Sequence, residues 1–208
     1  MKIIFYDNNI VVVNKPGGLL SVPGRGPDKQ DCVVSRVRRL FPDIIDQPAV
    51  HRLDMYTSGI MVLARTKESQ RLLSMQFEQR IPNKKYMSIL DGIVTKKEGR
   101  IELPFRLDPH NRPYQIYDPI HGKKGVTIWR RIAIEKQCTR IEFQPLTGRT
   151  HQLRLHAAHE LGLNTPIVGD ILYGRGHEGD QMMLHASSLT IRHPLSGKSL
   201  TFCSKVPF

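Results

Sequence analysis

Hydrophobic and polar positions alternate along much of the chain, and this two-residue period is typical of strands with one buried face. Four segments either alternate or form a short apolar run between turn residues. They are Ile3–Tyr6 with Ile10–Asn14, the run Ile60–Ala64, Val126–Ile134 with Ile141–Phe143, and Leu184–Phe202. Ile3–Asn14 predicts a hairpin around residues 7–9, and Val126–Phe143 predicts one around residues 135–137. Ile60–Ala64 predicts a buried strand, and Leu184–Phe202 predicts two strands around residues 193–197.

A helical period appears in three places. The first apolar stripe consists of Val33, Val34, Val37, Leu40 and Phe41. It predicts a helix that Asp31 caps and Pro42 ends. A second helix is predicted after a Thr66 cap, with an apolar stripe formed by Leu72, Leu73 and Phe77. A third is predicted over Thr150–Leu161, where Gly162 stops it.

Three polar or mixed segments complete the predicted architecture. Lys15–Gln30 is rich in glycine and proline and predicts a loop, while Lys85–Val94 predicts a strand pair around Asp91-Gly92. Asp108–Gly125 contains three prolines and two glycines and predicts a long exposed loop or arm. The expected fold is α+β, with a largely antiparallel mixed sheet flanked by helices and loops, in one compact domain over residues 1–208.

The net charge of the chain indicates which class of partner it binds. Lysine and arginine number 31 against 19 acidic residues, which gives a net charge of +12. This excess favours a polyanionic partner, and nucleic acid is preferred over anionic lipid because no long basic amphipathic helix is predicted. No apolar run approaches the length of a membrane span, and the N-terminus does not resemble a signal peptide. The three cysteines are odd in number and far apart, which fits a reducing cytoplasm.

Candidate chemistry lies just before the buried strand, in the stretch His51-Arg52-Leu53-Asp54-Met55-Tyr56-Thr57-Ser58-Gly59. A carboxylate on a loop that a rigid strand supports is a common layout for an active site. The simpler interpretation is that Asp54 caps a turn and Arg52 is solvated. A second polar stretch favours the active-site interpretation over the turn cap. It is Leu146-Thr147-Gly148-Arg149-Thr150-His151-Gln152-Leu153-Arg154-Leu155-His156.

Together the two stretches resemble the catalytic signature of pseudouridine synthases of the RluA type. The resemblance extends from Asn14-Lys15-Pro16 to the C-terminus, and Lys15–Arg25 is similar to the first family motif, which is mostly structural. It implies a single pseudouridine-synthase-like catalytic domain without a separate N-terminal RNA-binding module. In this family the Asp of His-Arg-Leu-Asp is catalytic, which implies that role for Asp54. The implied reaction requires no cofactor and no metal.

The resemblance also implies roles for three further residues. Arg149 matches the arginine that holds the catalytic carboxylate in its charged form, although alone it could equally be a phosphate contact or a solvated cation. Tyr86 matches the active-site tyrosine, whose ring can stack on uracil and whose hydroxyl can relay a proton. Without the resemblance, Tyr86 would be interpreted as an ordinary core residue. Arg52 is expected to contact RNA and to fill the space that a flipped uridine leaves.

The expected partner is structured RNA, and the expected protein is a cytoplasmic monomer. The similarity is greatest to the short branch that acts on a tRNA anticodon stem-loop and a 23S rRNA hairpin. The candidate RNA-binding residues are Arg52, His51, Lys84, Lys85, Arg112, Lys123 and Lys124.

Two other functions compete with this hypothesis. The first is a basic RNA chaperone or ribosome-associated protein without activity, which would have no need of the Asp54, Tyr86 and Arg149 set. The second is a nucleic-acid hydrolase that uses Asp54 with a metal. The neighbouring histidines 151, 156 and 159 do not have the spacing of a zinc site, so no metal ligands are predicted.

Overall fold

The computed structural model describes residues 1–208, with ten strands, three α-helices and one 3-10 turn. The strands are β1 (Lys2–Tyr6), β2 (Ile10–Lys15), β3 (Ser58–Ala64), β4 (Asn83–Leu90), β5 (Glu98–Leu107), β6 (Gln115–Tyr117), β7 (Lys123–Glu135), β8 (Cys138–Pro145), β9 (Leu184–Arg192) and β10 (Ser199–Cys203). The helices are α1 (Val33–Leu40), α2 (Lys67–Glu78) and α3 (Gln152–Ala158), and the 3-10 turn is Pro27–Lys29. The chain forms two compact units, Met1–Lys84 with His185–Pro207, and Lys85–Leu184 with Phe208.

In the first unit the strand order is β1-β2-β3-β9-β10. The β1–β2, β2–β3 and β9–β10 pairs are antiparallel, whereas β3 and β9 pair in parallel through Ser58–His185 and Gly59–Ala186. Because side chains alternate across a strand, β2 and β3 contribute to a core on each face of the sheet. Helix α1 packs in the core on one face and α2 in the core on the other. This explains why β2 and β3 are nearly continuous apolar runs.

The caps of the two helices differ from the sequence prediction in one case. Thr66 caps α2 as predicted, since its side chain accepts the Ser69 N–H. The expected Asp31 cap of α1 is wrong, because Cys32 occupies that position and forms a capping box with Ser35. Asp31 instead forms an ion pair with an arginine of the helix's first turn.

In the second unit the strand order is β4-β8-β7-β5-β6, and every pair is antiparallel. The predicted β7–β8 hairpin is confirmed, and its turn contains Lys136 in a left-handed conformation with φ of 58°. The core of this unit includes Phe143, Trp129, Phe105 and Ile141.

Two sequence predictions for this unit, a strand pair and an exposed arm, are wrong. The predicted strand pair around Asp91-Gly92 is a single strand, β4, followed by a turn, and no second strand pairs there. The Thr139 hydroxyl holds this turn, because it donates to the Gly92 C=O and accepts the Val94 N–H. The predicted arm 108–125 is partly regular. It contains β6, which pairs with β5, and it contains the start of β7 at Lys123. The three residues of β6 are too few for a periodic pattern to reveal.

The predicted α+β class and largely antiparallel mixed sheet are confirmed. The expectation of one compact domain stays a prediction. All three cysteines are free. No helix of the structure is both long enough and apolar enough to cross a membrane.

Gly59 is the glycine that the first unit most clearly requires. Its φ is +114°, and a Cβ atom placed there would lie 2.3 Å from the Ala186 carbonyl oxygen. We expect Gly59→Ala to lower the free energy of unfolding by about 3 kcal/mol, because left-handed strain and a backbone clash add together. Urea denaturation followed by circular dichroism measures this loss.

Gly197→Ala is the matched control. Gly197 also has a positive φ, +69°, but nothing lies within 4 Å of the position that a Cβ atom would take. We expect strain alone, about 1 kcal/mol. Equal losses in the two variants would show that the approach of β9 to β3 is not what demands glycine at position 59.

Candidate active site

In the first unit, Asp54 lies in the polar turn that precedes β3. Its side chain is half-buried, and its carbonyl accepts the Thr57 N–H at 3.1 Å, which closes the turn. The turn then leads into Ser58 and the fully buried run of β3. The sequence prediction of a carboxylate displayed on a loop in front of a buried strand is therefore confirmed in geometry.

Lys15 is fully buried at the end of β2 and binds this turn. Its Nζ donates to the carbonyls of Pro16, Leu19 and Met55 at 3.0, 2.7 and 2.8 Å, which satisfies all three ammonium hydrogens. Burial lowers the pKa of Lys15 to about 7, and the nearby Asp54 carboxylate opposes that shift. The buried Lys15 amine thus ties the Lys15–Leu19 loop to the Asp54 turn.

A histidine fixes the other end of the turn. His185 Nδ1 lies 2.8 Å from the Ser58 hydroxyl, and its Nε2 lies 3.1 Å from the Ser204 hydroxyl. Burial lowers the pKa of His185 to about 4, so the ring is neutral near pH 7. Residues distant in sequence therefore hold the start of β3.

The other predicted residues of this unit have different surroundings. The His51 ring stacks on Phe77 at 4.5 Å, and its Nε2 accepts the Val62 N–H at 3.0 Å. Burial lowers the pKa of His51 to about 3. These contacts give His51 a structural task, and its expected RNA contact stays a prediction. Arg52 is exposed, whereas Lys84 is half-buried and its pKa is lowered by desolvation and then by Arg80.

In the second unit, Arg149 lies on the turn between β8 and α3, and its side chain is exposed. The buried Gln152 amide organises this turn. Its Oε1 accepts from the Arg149 N–H at 3.1 Å and from the Thr147 hydroxyl at 2.6 Å. Its Nε2 donates to the Val126 carbonyl at 3.0 Å and to the Thr127 hydroxyl at 2.9 Å. One side chain with four hydrogen bonds therefore ties the backbone of Arg149 to β7.

Helix α3 begins later than predicted. It spans Gln152–Ala158 rather than Thr150–Leu161, because His151 adopts a left-handed conformation with φ of 55° that cannot continue a right-handed helix. Arg149 therefore lies three residues before the helix.

A buried ion pair lies behind this turn and was not predicted from the sequence. Arg154 donates to both carboxylate oxygens of Asp170 at 2.8 and 2.6 Å, and both side chains are almost fully buried. The Arg154 guanidinium also lies over the Tyr173 ring, 5.3 Å from its centroid. The Tyr173 hydroxyl lies 2.9 Å from His151 Nδ1 and accepts the Gln115 N–H at 2.7 Å. The only indication in the sequence was that Arg154 lies between two leucines, since a buried arginine requires an acidic partner.

The remaining predicted residues also belong to the second unit. Tyr86 is half-buried on β4, opposite Phe143 of β8. Lys85 forms an ion pair with Glu142 at 3.2 Å. Arg112, Lys123 and Lys124 are exposed, and Lys124 forms an ion pair with Glu102 at 3.3 Å.

Within the units, the structure brings Asp54 to the Lys15 loop and Arg149 to the Gln152 network. Asp54 belongs to the first unit, and Tyr86 and Arg149 belong to the second. The catalytic and RNA-binding roles of the predicted residues stay predictions. No group of three or more histidine, cysteine, aspartate or glutamate side chains is arranged to hold a metal ion.

His156 of α3 is a fully buried side chain whose two ring nitrogens have no hydrogen-bond partner. Phe105 meets the ring edge-on at 5.9 Å. Burial, and then the charge of His159, lower the pKa of His156 to about 4. The ring is therefore a neutral core residue at pH 7 and is not a catalytic acid.

Comparison with known proteins places this geometry in context. The family described as RNA pseudouridylate synthase matches residues 9–159. A Haemophilus influenzae protein named dual-specificity RNA pseudouridine synthase RluA is 43% identical over all of this chain and 94% of its own length. A Yersinia pestis protein of the same name is 41% identical over the full length of both chains.

Solved structures give the same result. The human RNA pseudouridylate synthase domain-containing protein 1 superposes with a TM-score of 0.81 at 26% identity, covering 100% of this chain and 84% of its own. The corresponding human protein 4 gives a TM-score of 0.78 at 25% identity, with coverage of 99% and 88%.

The buried His156 predicts an acid sensitivity. Unfolding restores a pKa near 6.5, so the unfolded state binds one more proton as the pH falls from about 6.5 towards 4, and stability falls with it. We expect this side chain to remove about 2 kcal/mol of stability between pH 7.5 and pH 5. His156→Leu should lose correspondingly less over that range, as measured by urea denaturation at both values.

His110→Leu, at an exposed histidine of the same unit, is the control for the loss of an imidazole as such. A His156→Leu variant that loses as much stability as wild type between the two pH values would contradict the assignment of His156 as a buried neutral group.

Proposed function

The chain belongs to the RNA pseudouridylate synthase family, and we propose that it converts specific uridines of structured RNA into pseudouridine through Asp54. The RluA-type resemblance is confirmed by the family match over residues 9–159 and by the identity to its relatives across the whole chain. The same matches confirm that the protein is an isomerase of the RNA pseudouridine synthase type. The observation that carries the role of Asp54 is its place in His51–Gly59, inside the matched region and on a turn that the buried Lys15 amine holds.

The reaction breaks the bond between ribose C1′ and uracil N1, rotates the base and joins C1′ to C5. The proton on C5 then leaves and N1 takes up a proton, so the atoms balance without a second substrate. Attack on C1′ and removal of a ribose proton both require an ionised carboxylate. The Lys15 amine lies near Asp54, whose carboxylate raises the pKa of that amine against the lowering effect of burial.

We propose Arg149 as the partner of the Asp54 carboxylate and Tyr86 as the residue at the base. The support for Arg149 is its motif match and a backbone that the Gln152 amide fixes. The support for Tyr86 is its match and its place on β4. A tyrosine ring can stack on uracil while its hydroxyl relays the C5 proton.

We propose that the substrates are a tRNA anticodon stem-loop and a 23S rRNA hairpin, and that the protein acts as a cytoplasmic monomer. The relatives' name, dual-specificity RNA pseudouridine synthase, supports two substrates. Flipping of the target uridine is required because C1′ and C5 are not both accessible in a stacked base. The net charge of +12 supports binding to the RNA backbone, with Arg52, His51, Lys84, Lys85 and Arg112 as candidate contacts.

The first test is release of tritium from 5-tritiated uridine in transcribed tRNA and in a 23S rRNA fragment. Asp54→Asn should lower the release rate by at least about a thousandfold, because the amide neither attacks nor accepts a proton. RNA affinity, measured by filter binding, should stay within about threefold of wild type.

Asp46→Asn, at an exposed carboxylate of the same unit, is the matched control and should release tritium at the wild-type rate. A parallel loss of RNA affinity in Asp54→Asn would assign that residue to binding instead. RNA binding without release by wild type would favour the chaperone hypothesis, and RNA cleavage that EDTA abolishes would favour the hydrolase.

The second test concerns phosphate contacts of Lys123 and Lys124. Both are exposed, and the ion pair from Lys124 to Glu102 is a surface pair that phosphate can replace. The double alanine variant should bind RNA more weakly, and the slope of log affinity against log salt should fall by about 1 to 2.

Lys96→Ala with Lys97→Ala removes the same charge from another exposed pair and is the control for a general charge effect. It should leave the slope close to that of wild type. An unchanged slope in the Lys123 and Lys124 variant would remove both lysines from the RNA interface.

A further inference from the structure

Ser21 makes an unusual pair of contacts beside the Asp54 turn. Its hydroxyl donates to the Leu53 carbonyl at 2.7 Å and accepts the Leu53 N–H at 3.0 Å. Ser21 and Leu53 are 4% and 5% exposed, so water has little access to replace these bonds. One side chain therefore satisfies both backbone polar groups of the residue that immediately precedes Asp54.

The backbone of Ser21 is itself anchored to a rigid element. The carbonyls of Leu20 and Ser21 accept the N–H groups of Val33 and Val34 at 2.8 and 3.3 Å. These donors belong to the first turn of α1, where no carbonyl of the helix itself is available to them. Because Val33 and Val34 are buried in the core of the first unit, the position of Ser21 is tied to that core.

The residue after Asp54 is held separately. The Met55 carbonyl accepts the Lys15 ammonium at 2.8 Å and the Gly18 N–H at 3.0 Å. Asp54 thus lies between two anchored neighbours, and Ser21 supplies the anchor on the N-terminal side. Without that hydroxyl, the peptide group between Leu53 and Asp54 gains freedom while the Met55 side stays fixed.

We propose that Ser21 is a positioning residue for the reaction: its hydroxyl fixes the Leu53 backbone and so sets the direction in which Asp54 presents its carboxylate. The inference rests on the proposed function, since it assigns Ser21 a task only if Asp54 is catalytic. Ser21 acts through Leu53 and does not touch the reacting atoms. Small displacements of a reacting group lower a rate far more than they lower substrate affinity.

The test measures single-turnover tritium release and RNA affinity for wild type, Ser21→Ala and Ser21→Thr. Ser21→Ala should lower the rate about 10- to 100-fold and leave the dissociation constant within about threefold. Ser21→Thr keeps the hydroxyl and should restore the rate to within about threefold of wild type. If Ser21→Ala fails to fold, Ser21→Cys replaces it, because a thiol fills the site but bonds weakly.

A purely structural role is separated by Ser69→Ala, which removes another fully buried serine hydroxyl of the first unit, in α2. This variant should lose thermal stability but release tritium at the wild-type rate below its melting temperature. If Ser21→Ala behaves in the same way, the proposal is overturned.

Hydrogen exchange provides a readout that does not depend on activity. In Ser21→Ala, the amides of residues 53–57 should exchange at least about tenfold faster, while those of β3 stay protected. Unchanged exchange there would overturn the proposal. Wild type that releases no tritium from either RNA would contradict the proposed function, whereas active wild type with equally active Ser21→Ala would contradict only the role of Ser21.

Discussion

A buried ammonium group is the constraint on which the candidate catalytic loop depends. An amine inside a protein is tolerated only when every hydrogen finds an acceptor, because desolvation penalises the charge. Lys15 meets this condition with the carbonyls of Pro16, Leu19 and Met55. The carbonyls come from two loops, so neither loop can change its course without leaving a buried hydrogen-bond donor unsatisfied. The proximity of Asp54 adds an electrostatic reason for the same arrangement.

The second unit solves a similar problem with different groups. A neutral amide, Gln152, uses both its donors and its acceptor to fix the turn that carries Arg149. Behind it, Arg154 and Asp170 form a two-bond ion pair in the interior, and removal of either partner would leave a buried charge. Each motif therefore combines one exposed or half-buried residue proposed for chemistry with buried polar residues that hold its backbone.

The sequence predicted the parts of the fold that depend on local pattern. Apolar runs on both sides of a polar turn were enough for the β1–β2 hairpin, and alternation was enough for the β7–β8 hairpin. The resemblance of His51–Gly59 to the family signature pointed to Asp54, whose catalytic role stays a prediction. Partners distant in sequence were not predictable: nothing around Lys15 announces a carbonyl 40 residues later, and the acid that pairs with Arg154 follows 16 residues on. The Cys32 cap was missed because an aspartate stood one position earlier and cysteine is seldom a cap.

The first unit is discontinuous along the chain, and this has a consequence for synthesis on the ribosome. Residues 1–84 leave the ribosome with β3 at the edge of its sheet, and the second unit is made before β9 can cover that edge. His185 and Ser204, which hold Ser58, come after residues 85–184 of the second unit. Contacts between residues this far apart form late, because a long loop must close first. The turn that bears Asp54 is therefore completed only after the residues of the second unit have been made, and a nascent chain holds an unfinished candidate catalytic loop while the RNA-rich ribosome surrounds it.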